Sequence, residues 1–271
     1  CYHDYHNGAI LRDSRAADAI MTVIGYYVLT VPSVWRETHN YHHKHNSKLI
    51  GSSIGSFPIL SMRVYARLPK AQRIGYRIAR HPLTIFLGYL PVFALGMCVS
   101  PFLRDRKKHW GGPLALVLHV AYVGGAVTLL GATTGLLLTV VPTAIACGSG
   151  AYLFYVQHNF PDMQLKDRRE WDYTYAALHS SSMFDMNPLM HWLTGNIGYH
   201  HVHHLNHRIP FYRLPEAMAG LPELQSPGRV TWSLKDTLAC LRLGLWDPDA
   251  EEMISFGEAQ RRSQASAPPT A

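Results

Sequence analysis

The run GGPLALVLHVAYVGGAVTLLGATTGLLLTVVPTAIACGSGAYLFYVQHNFP, Gly111 to Pro161, contains no Asp, Glu, Lys or Arg. A second stretch without charge extends from Pro82 to Leu103. An α-helix needs about 20 apolar residues to cross the hydrocarbon core of a bilayer, and both runs exceed that. Of the 271 residues, 48% are hydrophobic and only 16% are charged, against roughly 25% charged in an ordinary soluble domain. Backbone polar groups in lipid must be satisfied within the segment, which favours helices. The chain therefore reads as an all-α integral membrane protein.

The net charge is +7. A basic balance can signal nucleic acid, but here the basic residues flank the apolar segments, from Arg63 to Arg80, Arg104 to Lys108 and Lys166 to Arg169. That placement matches the cytoplasmic-side bias of membrane proteins and argues against a nucleic-acid partner. Four cysteines are scattered, with Cys98 and Cys147 inside apolar runs. No spacing suggests a disulfide framework or a zinc ribbon, so a reducing compartment fits. The chain opens at Cys1 in a His-rich polar stretch and reads as a fragment with membrane segments expected upstream.

Two histidine groups share one form: His39-x-x-His42-His43 and His200-x-x-His203-His204, about 160 residues apart. On a helix, positions i, i+3 and i+4 fall within an arc of about 100°, so each triplet can aim three imidazoles at one point. His3 and His6 near the start and His158 at the end of the long apolar run raise the candidates to nine. Nine imidazoles exceed what one metal uses and suit two. Structural zinc takes four ligands, often cysteines, and no cysteine lies near either triplet. A dinuclear redox metal fits better.

A shared site constrains the topology. Ala16 to Trp35 joins two His groups, so it is expected to lie at the interface rather than cross. Between His43 and His158 an even number of apolar segments must cross. The segment at about 83–102 is bracketed by basic clusters and interrupted by Pro91, so it reads as re-entrant or interfacial. The segments at about 113–133 and 135–157 then cross, with the basic ends and the His groups on the cytoplasmic side. After Pro161 a polar, helical cap carries the second triplet. Asn206 to Leu224, rich in Pro and Arg, reads as irregular surface structure, and the Ser-, Ala- and Pro-rich tail within 261–271 as disordered.

The flanks of the triplets carry a resemblance. Trp35-Arg-Glu-Thr-His39-Asn-Tyr-His42-His43 looks like the second histidine box of the membrane fatty acid desaturase family. Asn196-Ile-Gly-Tyr-His200-His-Val-His203-His204-Leu resembles its third, and Tyr155-Val-Gln-His158-Asn-Phe is similar to the additional histidine of many members. The resemblance covers nearly the whole chain, with one desaturase domain at 1–260. The first box departs from the family's usual His-Asp-x-x-His: His3-Asp4-Tyr5-His6 has one residue fewer between its histidines. Either Cys1-Tyr2-His3 is the tail of a His-Asp-Cys-x-His box, with His3 a ligand and His6 its neighbour, or His3 and His6 both ligate.

The resemblance implies a non-haem di-iron centre that activates O2 with two external electrons and desaturates an acyl chain. It implies metal ligands His3, His6, His39, His42, His43, His158, His200, His203 and His204. The donor is expected to be a separate ferredoxin or cytochrome b5-type protein, since no fused His-Pro-Gly-Gly haem motif occurs (His81-Pro82-Leu83-Thr84 is not one) and a basic cytoplasmic face attracts acidic partners. An acyl-lipid or another acyl carrier would be the substrate. Asn196, His201, Asp4, Asp162 and Asp185 are candidates to orient ligand imidazoles through their second nitrogens. His119 reads as packing within a span, and His45 and His207 as surface residues.

Two rivals use the same metals: a di-iron membrane hydroxylase or a carotenoid ketolase. A haem-binding membrane electron carrier would need paired histidines on spanning helices, whereas the triplets lie outside the spans. A metal transporter would place its ligands within crossing helices, and these offer only His119.

Overall fold

The computed structural model describes residues 1–49, 54–167 and 169–265. The chain is mostly helical and divides into two compact units, residues 1–40 with 82–154, and residues 41–81 with 155–271.

In the first unit the charge-free run folds as expected, into helices Gly111–Leu130 and Ala132–Gln157. Gly131, at φ +81°, makes the reversal between them, a conformation glycine adopts without a Cβ penalty. Both helices are long and apolar enough to cross a membrane. Val120 and Leu129 are 70% and 83% exposed, a cost in water that disappears when the surrounding medium is lipid.

The second charge-free segment is broken at Leu87 and Gly88, ahead of Pro91, which lies inside the next helix. Pro82–Phe86 is a short helix, Tyr89–Val99 winds as a π-helix, and Ser100–Arg104 closes the segment. Proline lacks the N–H that an α-helical bond would use. The wider winding starts where the N–H groups of both Val92 and Phe93 donate to the Gly88 carbonyl, at 2.9 Å each. Gly88 itself sits so close to Ala132–Gln157 that a Cβ there would come 2.8 Å from the Ala151 Cβ. The core of this unit is Leu29, Val31, Val34, Ala94, Cys98 and Ala115.

Ala16 to Trp35 differs from the single interfacial helix expected. It forms parts of two helices, Arg15–Tyr27 and Pro32–Lys44, bent by 89°. Leu29 takes φ +58° between them. Pro32 can only begin a helix, because its ring clashes with the carbonyl four residues earlier.

The second unit is not all-α, as the sequence had suggested. Met183–Asp185 pairs in parallel with Arg229–Thr231, and Leu243–Asp247 pairs antiparallel with Glu252–Ser255. Strands of three to five residues are too short to leave a period-2 signal. Asn206 to Leu224 is also more ordered than expected. Pro215 lies in the first turn of helix Leu214–Gly220, where proline is tolerated, and Leu214 and Met218 join Val202, Met183 and Leu224 in a core. A second cluster gathers Tyr76, Leu245, Ile254 and Ala259.

The last helix, Phe256–Ala265, enters the segment expected to be disordered. Arg262 holds it there, paired at 2.6 Å with Asp247, 2.7 Å with Glu252 and 2.8 Å with Glu258. Residues 266–271, the rest of that expectation, lie outside the described residues.

Candidate metal centre

Three separate stretches of the second unit deliver four imidazoles to one point. His42 comes from the end of helix Pro32–Lys44, His158 directly follows helix Ala132–Gln157, and His200 and His204 stand one turn apart on the short helix His200–Leu205. All four are buried, between 1% and 7% exposed. The His158 Nε2 lies 3.1 Å from that of His42, 2.8 Å from that of His200 and 3.1 Å from that of His204. The His204 Nε2 is also 3.2 Å from His42 and 3.1 Å from His200.

Hydrogen bonding does not account for this arrangement. The His158 Nδ1 faces the Ser180 carbonyl at 3.3 Å and must donate to it. A neutral imidazole carries one N–H, so the His158 Nε2 offers only a lone pair, which can accept from one neighbour. It faces three. A cation at the centre takes up every lone pair at once. The four ligand nitrogens all lie within 4.8 Å of one another. The four nitrogens could hold a metal ion.

Burial also sets the protonation state that a metal requires. It pushes His158 down to about 4, against the upward pull of the Ser180 carbonyl. Burial lowers His204 well below the ordinary imidazole value, and the positive charges its neighbours His43, His200, His158 and His42 would carry lower it further. These imidazoles are neutral near pH 7, with lone pairs free for ligation.

The surroundings hold the rings in place. The second nitrogen of His42 faces the Ser56 hydroxyl at 3.4 Å. Asn46 donates to the Ser181 hydroxyl at 2.9 Å, next to the carbonyl that anchors His158. Tyr173 donates to the His204 carbonyl at 2.6 Å, and Gln157 to the Ile197 carbonyl at 2.8 Å, just ahead of the third box. Gly198 lets this stretch lie against strand Met183–Asp185: a Cβ there would come 2.4 Å from the Phe184 carbonyl oxygen. None of Ser180, Asn46 or Tyr173 was singled out from the sequence. Serine and asparagine are common surface residues, and a backbone carbonyl has no sequence signature.

The other candidates are placed as follows. In the second unit the Nε2 atoms of His43 and His203 lie 3.1 Å apart. In the first unit the rings of His3 and His39 meet edge-on with centroids 4.8 Å apart, and Trp35 stacks on His39 at 4.1 Å. His39 and His43 are one turn apart on the same helix, as their spacing predicts. Buried Asp4 contacts the His3 Nδ1 at 3.0 Å. His6 packs instead among the rings of Tyr2, Tyr5 and Trp35. Neither of its nitrogens has a partner among the described residues, and burial pushes it down to about 4.

Three of the expected orienting residues lie elsewhere. Asn196 takes φ +54° and donates to the Phe211 carbonyl at 3.0 Å, so it shapes the turn ahead of the third box. Asp185 pairs with Arg229 at 2.7 Å, and Asp162 is exposed. His201 is buried, and its Nε2 donates to the Leu224 carbonyl at 3.1 Å, which ties the ligand helix to the neighbouring core.

The chain is thus mostly helical, with two helices long and apolar enough to cross a membrane and a buried histidine cluster that could hold a metal ion. Residues 1–234 match the fatty acid desaturase family, and the chain belongs to it, a family of oxidoreductases. It is 32% identical to a fatty acid desaturase of Bacillus subtilis over 270 residues, 99% of this chain and 76% of that protein. It is 25% identical to the sn-1 oleoyl-lipid 12-desaturase of Anabaena variabilis, covering 74% of this chain and 59% of that one. Identity to the chloroplastic omega-3 fatty acid desaturase of Glycine max is 24%, over 79% of this chain and 49% of that protein.

Proposed function

We propose that this chain is an integral membrane desaturase that introduces a double bond into an acyl chain, using O2, a di-iron centre and electrons from a separate donor protein. The observation that carries the proposal is the convergence of the His42, His158, His200 and His204 nitrogens in a chain of this family. These four would hold one iron through Nε2. We assign the second iron to box histidines outside this cluster on the strength of the sequence pattern alone. Imidazole nitrogens suit iron as well as zinc, so the family membership decides between them.

Bound iron would supply the activation of O2: two adjacent methylenes each lose one hydrogen, and O2, taking up two donor electrons and two protons besides, leaves as two waters. The chain's own residues perform the rest. The buried imidazoles bind without carrying a proton. The Ser180 carbonyl and the Asp4 carboxylate hold His158 and His3 in one tautomer and one orientation. Burial of all four cluster histidines would keep bulk water from a metal held there.

Helices Gly111–Leu130 and Ala132–Gln157 would cross the bilayer as a hairpin. Both ends then share one side, which the basic flanks assign to the cytoplasm. An acyl-lipid substrate agrees with the lipid named for the Anabaena relative. The donor would be a ferredoxin or a cytochrome b5-type protein drawn to the basic face.

The test is lipid profiling of a host that expresses the protein with a working donor. New monounsaturated or polyunsaturated acyl species are expected, with about two irons per purified chain. No new double bond, or an intense Soret band in place of bound iron, would overturn the proposal.

A further inference from the structure

Between Glu37 and Asp105 the chain has no acidic residue and nine Lys or Arg. Six of these, Arg63, Arg67, Lys70, Arg73, Arg77 and Arg80, lie on or beside two consecutive helices of the second unit, Met62–Arg67 and Lys70–Ala79. A solvated surface segment ordinarily mixes both signs of charge, so an unbroken cationic stretch calls for an explanation.

The second helix has three distinct faces. Tyr76 is 6% exposed and packs with Leu245, Ile254 and Ala259, so this face is bound to the body of the unit. At 100° per residue, Lys70, Arg73 and Arg77 lie within one arc, all exposed. Ile74 and Ile78 occupy the next arc and are 48% and 58% exposed. On the preceding helix Val64 is 42% exposed and Arg67 is exposed beside it. Arg63 pairs with Asp249, and Arg77 is used internally, bonded to the Tyr65 hydroxyl at 2.7 Å and lying over the Phe256 ring. Arg67, Lys70 and Arg73 pair with no carboxylate among the described residues.

An exposed arc of isoleucine beside an exposed arc of cations is the composition of a helix that lies in a lipid interface. Its apolar side chains enter the acyl boundary while Lys and Arg stretch to the headgroups. The charge-free run that begins at Pro82 follows this helix within three residues. We propose that the surface formed by Val64, Arg67, Lys70, Arg73, Ile74 and Ile78 docks on a bilayer and selects anionic lipid headgroups. The occupant is chosen by charge complementarity and by the protruding isoleucines. An acidic soluble protein would match the charge but would not need side chains at the depth of acyl groups. The proposal depends on the chain being a membrane protein, but not on its iron or its chemistry.

The full chain, in a Cys1→Ser background whose other three thiols are buried, is spin-labelled at Ile78→Cys and separately at Leu118→Cys. It is reconstituted in nanodiscs of phosphatidylcholine, with or without phosphatidylglycerol. Collision of each label with oxygen and with a water-soluble nickel chelate reports its surroundings. With phosphatidylglycerol, residue 78 is expected to favour oxygen as lipid-exposed sites do, and to return towards water without it. Each cation near an anionic surface contributes about fivefold to such binding. The combined Arg67→Gln, Lys70→Gln and Arg73→Gln variant should therefore lower the docked-to-free ratio about a hundredfold.

A label at residue 78 that stays in water in anionic discs, while residue 118 reads lipid, would overturn the proposal and leave the membrane assignment intact. Both labels in water would overturn the two together. Equal lipid exposure in neutral discs would remove the anionic requirement. Shielding of residue 78 only when an acidic ferredoxin is added would assign the surface to a protein instead.

Discussion

The four-histidine cluster of the second unit and the first-box region of the first unit contain the same side chain in opposite circumstances. Around His158, three chain segments, 116 and 42 residues apart at His42, His158 and His200, bring nitrogens to within 2.8–3.2 Å, and the Ser180 carbonyl and the Ser56 hydroxyl face the His158 and His42 rings from behind. Around His3 the support is local: Asp4 follows it directly, and His6 turns away into an aromatic pocket. A cluster joined from several segments is expected to tolerate the loss of one supporting contact better than His3, whose ring nitrogen meets Asp4, its neighbour in the chain.

The strongest way to break that contrast is to remove a ligand from the cluster. His158→Ala is expected to lose the iron held there and to lower desaturation by more than the roughly 10–100-fold typical of removing a mere orienting partner. Iron assay and lipid profiling read the two effects, and wild-type iron in this variant would take His158 out of the site. His203→Ala is expected to lose iron and activity as well, with the protein still inserted in membranes.

Next in size is Asp4→Asn, which keeps the shape and removes the charge beside His3. Metal affinity should fall about 10–100-fold, measured by chelator competition, with the four-histidine ion retained. An unchanged affinity would show that His3 needs no carboxylate.

Acid should act on the cluster through burial. His158 is pushed down from 6.5 to about 4. Between those values the unfolded chain binds a proton that the folded chain refuses. Stability of the iron-free protein is therefore complete above about pH 6.5 and is lost progressively as pH falls towards 4, on the order of 2–3 kcal/mol for this one group. Thermal melts in detergent across that window check the sign. A melting temperature that rises on acidification would contradict it.

The smallest effect is expected at His6. His6→Phe preserves the ring packing and removes two buried nitrogens without partners, so iron content should not change and stability should shift by less than about 1 kcal/mol. Loss of one iron would make His6 a ligand and erase the difference between the two regions.

Much of this site can be read from the chain alone, because helical periodicity is local. His39, His42 and His43 share a helix, and His200 and His204 share another, as i, i+3 and i+4 require. The uncharged run likewise contains its two long helices and even the glycine at their turn. The misses have physical causes. Asn196 stands four residues before His200, but helix His200–Leu205 begins too late to put the two on one face. The short parallel pair Met183–Asp185 with Arg229–Thr231 joins segments 44 or more residues apart, and nothing in either segment announces its partner.

The sequence by itself determined which residues can ligate, that they face together within each box, and where the chain is apolar enough to enter a membrane. Each of those properties depends on residues within one or two helical turns. Only the tertiary structure decided that His42 and His158 join His200 and His204, that Ser180 supplies the carbonyl behind His158, and that His6 is turned into an aromatic pocket. Those outcomes are set by packing between segments distant in the chain, which no local pattern encodes.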